Sequence, residues 1–148
     1  MTDLNEELPE DLLIESLWIL DDESGICVFE ENYVDFTKQG VSTDLISSFL
    51  SAVLTFAGET FTEEIEHIKF PNRKILFEFS DFLLFVISVS EQTSDMAVKR
   101  VMQQIVKAFD DQFGGHFKPT PWQGGDISVF NPFSQTLEKI VKKKPLKV

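Results

Sequence analysis

Histidine and cysteine, the residues most often used as metal ligands or nucleophiles, are scarce in this chain, and their spacing does not assemble a reactive group. The sequence has two histidines, His67 and His116, and one cysteine, Cys27. They do not form the spaced His/Cys set that holds zinc, and the acidic residues near Cys27 disfavour a nucleophilic thiolate. We therefore predict packing or surface roles for all three residues, no metal site and no enzymatic activity.

Three other motifs have both a chemical and a simpler interpretation. Asp21-Asp22-Glu23 offers oxygen ligands for a hard cation, yet it is also an ordinary solvated turn. The glycine pairs at 114–115 and 124–125 lack the Lys-Ser/Thr ending of a phosphate-binding loop, so we interpret them as turns. The loop Pro119–Trp122 is either a recognition segment or a place where the tryptophan folds back onto the domain. None of these motifs predicts a cofactor.

The composition predicts a single folded domain, and the presence of one cysteine favours a cytoplasmic location. A chain of 148 residues is long enough to bury about 70% of its unfolded surface. The hydrophobic share of 43% and fifteen phenylalanines indicate a substantial core. The longest apolar run, Phe82–Val89, is far shorter than the ~20 residues of a membrane span, and the acidic N-terminus does not resemble a signal peptide. We predict an acidic mobile tail at 1–11 and a single domain at 12–148.

The net charge of −12 is unevenly divided along the chain. Residues 1–66 contain seventeen acids and one base, whereas residues 67–148 contain eight acids and twelve bases. The acidic half argues against nucleic acid as a partner, because phosphate contacts need clustered Lys and Arg. The basic cluster near the C-terminus is Lys139, Lys142, Lys143, Lys144 and Lys147. These lysines fit a solvated helix end, or at most a weak peripheral contact with an anionic membrane.

Hydrophobic patterning gives the order of the elements that must position these residues. The predicted strands are Ile14–Leu20, Ile26–Glu30, Ile65–Phe70, Lys74–Ser80 and Phe82–Val89. The predicted helices are Ser42–Ala57, Ser94–Phe113 and Pro132–Lys144.

Two of the strands have no polar face. The runs at 17–20 and 82–87 are apolar without interruption, so we predict that they lie at the centre of an antiparallel sheet with helices on both of its faces. The charged run at 64–70 suits an edge of the sheet. Ser94 and Gly114 are the expected ends of the second helix.

The first helix is unusual because its polar face carries only small residues. Its apolar residues span about half of the helix circumference, which is wider than one sheet contact needs. No Lys, Arg or Glu occurs within Leu45–Ala57. The remaining face consists of Ser47, Ser48, Ser51, Ala52 and Thr55. This face is covered either by another part of the same chain or by a partner, since small side chains permit close approach at low entropic cost.

The segment order resembles that of the longin domain, and the resemblance covers residues 14–144. The stretch Leu-Trp-Ile-Leu-Asp-Asp-Glu-Ser-Gly-Ile-Cys-Val-Phe, residues 17–29, is similar to the opening hairpin of that family. The related roadblock domain usually opens with a helix, for which residues 1–12 are poor material because of Pro9. The resemblance implies a longin/profilin-like α+β fold, ββαβββαα. Its five-stranded antiparallel sheet has the order 2-1-5-4-3, with helices on both faces.

The resemblance also implies a function. Longin domains are not enzymes but interaction platforms in vesicle traffic, which often dimerise and in several cases bind or regulate Ras-like small GTPases. The implied partner is a second copy, another longin or roadblock-like chain, or a small GTPase. The implied partner-binding residues are Ile26, Val28, Tyr33, Ser47, Ser48, Ser51 and Thr55. The alternative is a small-molecule sensor with an apolar pocket in its phenylalanine-rich core.

Overall fold

A computed structural model describes residues 14–35, 45–46, 48–52, 55, 67–69, 72–118, 120 and 122–142. The strands are β1 Ile14–Asp21, β2 Cys27–Asn32, β3 His67–Lys69, β4 Arg73–Ser80 and β5 Leu83–Ser90. The helices are α1 at positions 45–46, 48–52 and 55, α2 Asp95–Phe113 and α3 Phe133–Val141. Short 3-10 turns lie at Gly114–His116 and Ile127–Phe130.

The strands form one antiparallel sheet, which confirms the predicted α+β class. Four strands of six to eight residues lie in the order β2-β1-β5-β4, and the three-residue β3 pairs with β4 at the far edge. The two runs predicted to be central, β1 and β5, are direct neighbours, with Trp18 opposite Val86. The second strand extends two residues further than predicted, to Asn32.

Helices cover both faces of this sheet, as the two apolar central strands required. Side chains alternate along β1, so that Leu17 and Ile19 join one core cluster while Trp18 and Leu20 join the other. The first cluster packs under α2 and α3, and the second under α1, whose Leu50 is buried in it. The first and second predicted helices therefore lie on opposite faces.

Interlocking aromatic rings fill the core on the α2 and α3 side. The Phe109 ring is central, and its centroid lies 5.0 to 5.9 Å from those of five other rings. Those rings belong to Phe85, Phe113, Phe117, Phe130 and Phe133. Two of these pairs, with Phe85 and Phe133, are edge-to-face, a geometry favoured by the ring quadrupole. Phe109 therefore connects α2 to β5, to the turn after α2 and to α3.

The start of α2 is fixed by a cap and by a buried lysine. The Ala97 amide donates to Ser94 Oγ at 3.1 Å, which confirms Ser94 as the N-cap. Lys74 of β4 is buried, and its Nζ donates to the Thr93 carbonyl and, at 2.6 Å, to Asp95 Oδ1. The ammonium group thus joins the sheet to the first turn of α2.

We expect Lys74→Met to lower the free energy of unfolding by about 1–3 kcal/mol, because the buried Thr93 carbonyl loses its charged donor. Urea denaturation followed by circular dichroism measures the change. Asp95→Asn is the matched control and should cost less, since the Asp95 side chain is 46% exposed and its amide oxygen can still accept. Equal losses in the two variants would contradict this account.

Candidate partner-binding surface

The described residues of the predicted partner face on α1 are exposed. Ser48, Ser51 and Thr55 all face outward, and Thr55 Oγ1 donates to the Ser51 carbonyl at 3.0 Å. Ser47 lies outside the described residues. We call the exposed set Ser48, Ser51, Ala52 and Thr55 the α1 outward face. It carries no charged side chain, as the sequence indicated.

The predicted partner residues on the second strand need correction. Ile26 precedes β2 and is 46% exposed, but Val28 and Tyr33 are buried in the core under α2 and α3. A β-bulge explains Val28: Ile19 pairs with Phe29 and Leu20 with Cys27, so Val28 is an extra residue. Such a bulge interrupts the alternation of faces, and Val28 joins Phe29 in the same cluster. These two buried side chains are not available to a partner.

The edge of the sheet formed by β2 is the second part of the candidate surface. In the described part of the chain β2 pairs only with β1. The Tyr33 amide donates to the opposite carbonyl of Glu15 at 2.8 Å. Because hydrogen-bonded and non-hydrogen-bonded pairs alternate in an antiparallel ladder, the peptide groups of Glu31 and Phe29 also face β1. The peptide groups of Glu30 and Asn32 therefore point outward. We call this side of β2 the β2 edge.

A hydrogen-bonded network fixes the side chains on the α1 side of this edge. The indole Nε1 of buried Trp18 donates to Glu30 Oε2 at 2.9 Å, and Asn32 Nδ2 donates to the same oxygen at 3.2 Å. Ser16 Oγ donates to Asn32 Oδ1. Glu30 is nevertheless exposed, so its carboxylate is both oriented by the core and open to a partner.

The next residue places a second carboxylate on the opposite side of the sheet. Glu31 is half-buried, and its Oε1 accepts a hydrogen bond from Ser134 Oγ of α3. Successive strand residues point to opposite faces, so the β2 edge presents one acid on each face. Glu31 and Asn32 were not among the predicted partner residues, because the predicted strand ended at Glu30. The consecutive acids Glu30 and Glu31 were the feature of the sequence that could have indicated this surface.

Two exposed apolar side chains lie in a segment that contacts the same strand. The 3-10 turn Ile127–Phe130 contacts β2, and its Ile127 and Val129 are 42% and 46% exposed. Phe130 of this turn is buried, with Trp122 folded against it at a ring distance of 6.3 Å. The tryptophan therefore packs back onto the domain, which was the simpler interpretation of its loop.

The residues whose types could support catalysis or metal binding, Cys27, Asp21 and His116, have packing or turn-forming roles. Burial raises the pKa of the Cys27 thiol to about 11, which keeps it protonated and unreactive at neutral pH. Asp21 Oδ2 accepts from the amide and hydroxyl of Ser24 at 2.9 and 2.6 Å and so shapes the β1–β2 turn. His116 is exposed, and its ring packs edge-to-face against that of Phe130 with a centroid distance of 5.3 Å. Within the described ranges, no group of three or more His, Cys, Asp or Glu side chains could hold a metal ion.

A small cavity lies beside Phe109, between β5 and the end of α2. Its volume is about 10 Å³, which is room for about one water molecule. Asp81, Asp110 and Gly114 are among the residues that line it. This cavity is too small for the organic ligand that the sensor alternative requires.

No described helix is both long and apolar enough to cross a membrane. Comparison with models of known protein families gave no match, and comparison with curated proteins gave none either.

The pKa of Cys27 predicts a pH dependence of stability. Because burial raises it from an ordinary 9.0 to about 11, the unfolded chain loses this proton at a lower pH than the folded chain. Stability should therefore fall as the pH rises from 9 to 11 and level off above that range. Urea midpoints of the wild type and Cys27→Ala measure it, and the variant should show a smaller fall. Parallel pH profiles would contradict the burial of the thiol.

The hydrogen-bonding phase of β2 predicts unequal effects of proline at neighbouring positions. Glu31→Pro removes an amide that bonds to β1 and should cost about 1–3 kcal/mol, because the carbonyl that it served on β1 loses its donor. Glu30→Pro removes an outward amide and should cost clearly less, as prolines on edge strands do. Thermal melts of both variants measure the difference, with Glu30→Ala and Glu31→Ala correcting for the lost carboxylates. An equal loss of stability in the two proline variants would show that we have wrongly assigned which β2 amides hydrogen-bond to β1.

Proposed function

We propose that this chain is a non-enzymatic protein-interaction module of longin type that acts in the cytoplasm. Its partner is a second longin or roadblock-like chain, either a copy or a different protein, and a Ras-like small GTPase is the further partner class. The proposal rests on two features of the described residues: a β2 edge that pairs with no strand besides β1, and an α1 outward face without charged side chains.

The α1 outward face supports a partner rather than solvent as its neighbour. Exposed helices normally carry long charged side chains opposite their apolar stripe. Here Ser48, Ser51 and Thr55 take those places, and small hydroxyl side chains lose little entropy when a surface covers them.

The β2 edge supports association by strand addition. A strand that joins this edge would extend the sheet, with main-chain hydrogen bonds providing affinity and side-chain contacts providing selectivity. Cys27, at the start of β2, and Val34, two residues beyond its end, pack against the same core cluster as Leu50 of α1. A partner that pairs with β2 would therefore meet the side of the domain that carries α1.

The longin topology ββαβββαα belongs to this proposal as well. It is supported by an antiparallel sheet whose central strands are β1 and β5, and by helices on opposite faces. In this arrangement α1 and β2 are the elements through which longin-type chains would pair.

Ser51→Lys combined with Thr55→Glu tests the α1 outward face. We expect the double substitution to abolish binding of a longin-type, roadblock-type or Ras-like partner, because two long charged side chains would have to be desolvated when a partner covers this face. Cross-linked complexes recovered with the wild type and the variant would be compared by quantitative mass spectrometry. Light scattering on the purified chains reports self-association.

The matched control is Gln103→Lys with Gln135→Glu, which adds the same charges at exposed positions of α2 and α3. It should leave the complexes unchanged, and thermal melts should show that both double variants stay folded. Complexes that survive Ser51→Lys/Thr55→Glu in full would refute the interface.

A further inference from the structure

We infer that the β2 edge binds an extended basic segment of another protein, with two adjacent Lys or Arg residues placed against Glu30 and Glu31. The inference rests on the proposed use of β2 as an interface. It names the chemistry of the strand that pairs there and disfavours the β2 edge of a second copy in that role.

The outward peptide groups of β2 limit the ways in which two copies could pair. In an antiparallel two-fold arrangement the peptide groups of Glu30 would face those of Glu30, Asn32 or Val28 of the second copy. The first register sets the two Glu30 side chains opposite each other, and the second sets the two Glu31 side chains opposite each other. The third register falls on the bulge at Val28, where the ladder is irregular.

Both regular registers therefore bring like charges together. Side chains directly opposite in a sheet have Cβ atoms ~5 Å apart, and like charges at that distance are destabilising. The Glu30 carboxylate cannot easily turn away, because Trp18 Nε1 and Asn32 Nδ2 both donate to its Oε2. Glu31 is likewise held by Ser134 Oγ. The edge is thus poorly suited to self-pairing.

A basic strand fits the same constraints without repulsion. Glu30 and Glu31 lie on opposite faces of the sheet, and two adjacent residues of an added strand also point to opposite faces. Two consecutive bases would therefore meet one carboxylate each. Exposed apolar side chains at Ile127 and Val129, in the turn that contacts β2, suit apolar residues that flank the two bases.

The test uses the full chain and a labelled peptide, Thr-Val-Lys-Lys-Val-Thr, in fluorescence anisotropy. Two control peptides accompany it. In one, Glu-Glu replaces Lys-Lys; in the other, all backbone amides are N-methylated, which keeps the charge but removes the amide donors from both edges of the peptide and so prevents strand pairing. We expect binding of the first peptide only. Glu30→Gln/Glu31→Gln should weaken this binding about tenfold, the effect of losing two exposed ion pairs.

The matched protein control is Glu91→Gln/Asp111→Asn, which removes two exposed acids away from β2 and should leave the affinity unchanged. Equal binding of the N-methylated peptide would overturn strand addition in favour of plain charge attraction. Equal weakening by both double variants would overturn the placement at Glu30 and Glu31. No binding of the basic peptide at all would overturn the inference outright.

Light scattering separates this inference from the proposed function. A wild-type dimer that Glu30→Pro dissociates would identify a second copy on the β2 edge, which overturns the inference and leaves the interaction module standing. If the triple variant Lys143→Gln/Lys144→Gln/Lys147→Gln binds the peptide more tightly than the wild type, the chain's own basic end competes for the β2 edge. That result would also overturn the inference that another protein supplies the basic segment. Basic-peptide binding with no effect of Ser51→Lys/Thr55→Glu on any complex would support the inference and refute the α1 interface.

Discussion

Burial of both faces of β1 and β5 is the constraint on which the rest of this structure depends. Leu17, Trp18, Ile19 and Leu20 follow one another along β1, and none is more than 4% exposed. Alternate residues of a strand face opposite sides, so apolar layers must cover the sheet from both directions. The placement of α1 on one face and of α2 and α3 on the other follows from this requirement, and β2 is left outermost beyond β1.

The same central strand also determines the character of the β2 edge. Trp18 brings an indole N–H into an apolar layer, and a buried donor must find an acceptor. Glu30 on the neighbouring strand provides it at 2.9 Å. A packing requirement in the core thereby fixes the position of a carboxylate at the rim of the sheet. The edge is acidic in a defined geometry because the core needs one of its acids.

The fold was more predictable from sequence than the candidate site, for a physical reason. The central strands are recognisable in the sequence as uninterrupted apolar runs, and α2 is recognisable by its helical periodicity and by Ser94 as its N-cap. Those signals are local in sequence. The surface at β2 depends on the bulge at Val28, on Glu30 bonding to Trp18 and on Glu31 bonding to Ser134, residues that are 12 and 103 positions apart. Glutamate and asparagine are weak strand formers, so the pattern ended β2 too early.

The aromatic core around Phe109 and the acidic β2 edge differ in what they offer to a ligand or partner. The rings around Phe109 leave a cavity of only about 10 Å³ beside them, so ligand binding there would require the aromatic cluster to separate. An unpaired strand edge, by contrast, exposes main-chain donors and acceptors that invite pairing. Acids on both faces of that edge disfavour a second copy while leaving a basic strand acceptable, and selectivity of this kind arises as much from what is repelled as from what is attracted. Glu30 therefore serves the core as the acceptor of the Trp18 indole, while its exposed carboxylate gives the edge the charge that a basic strand would meet.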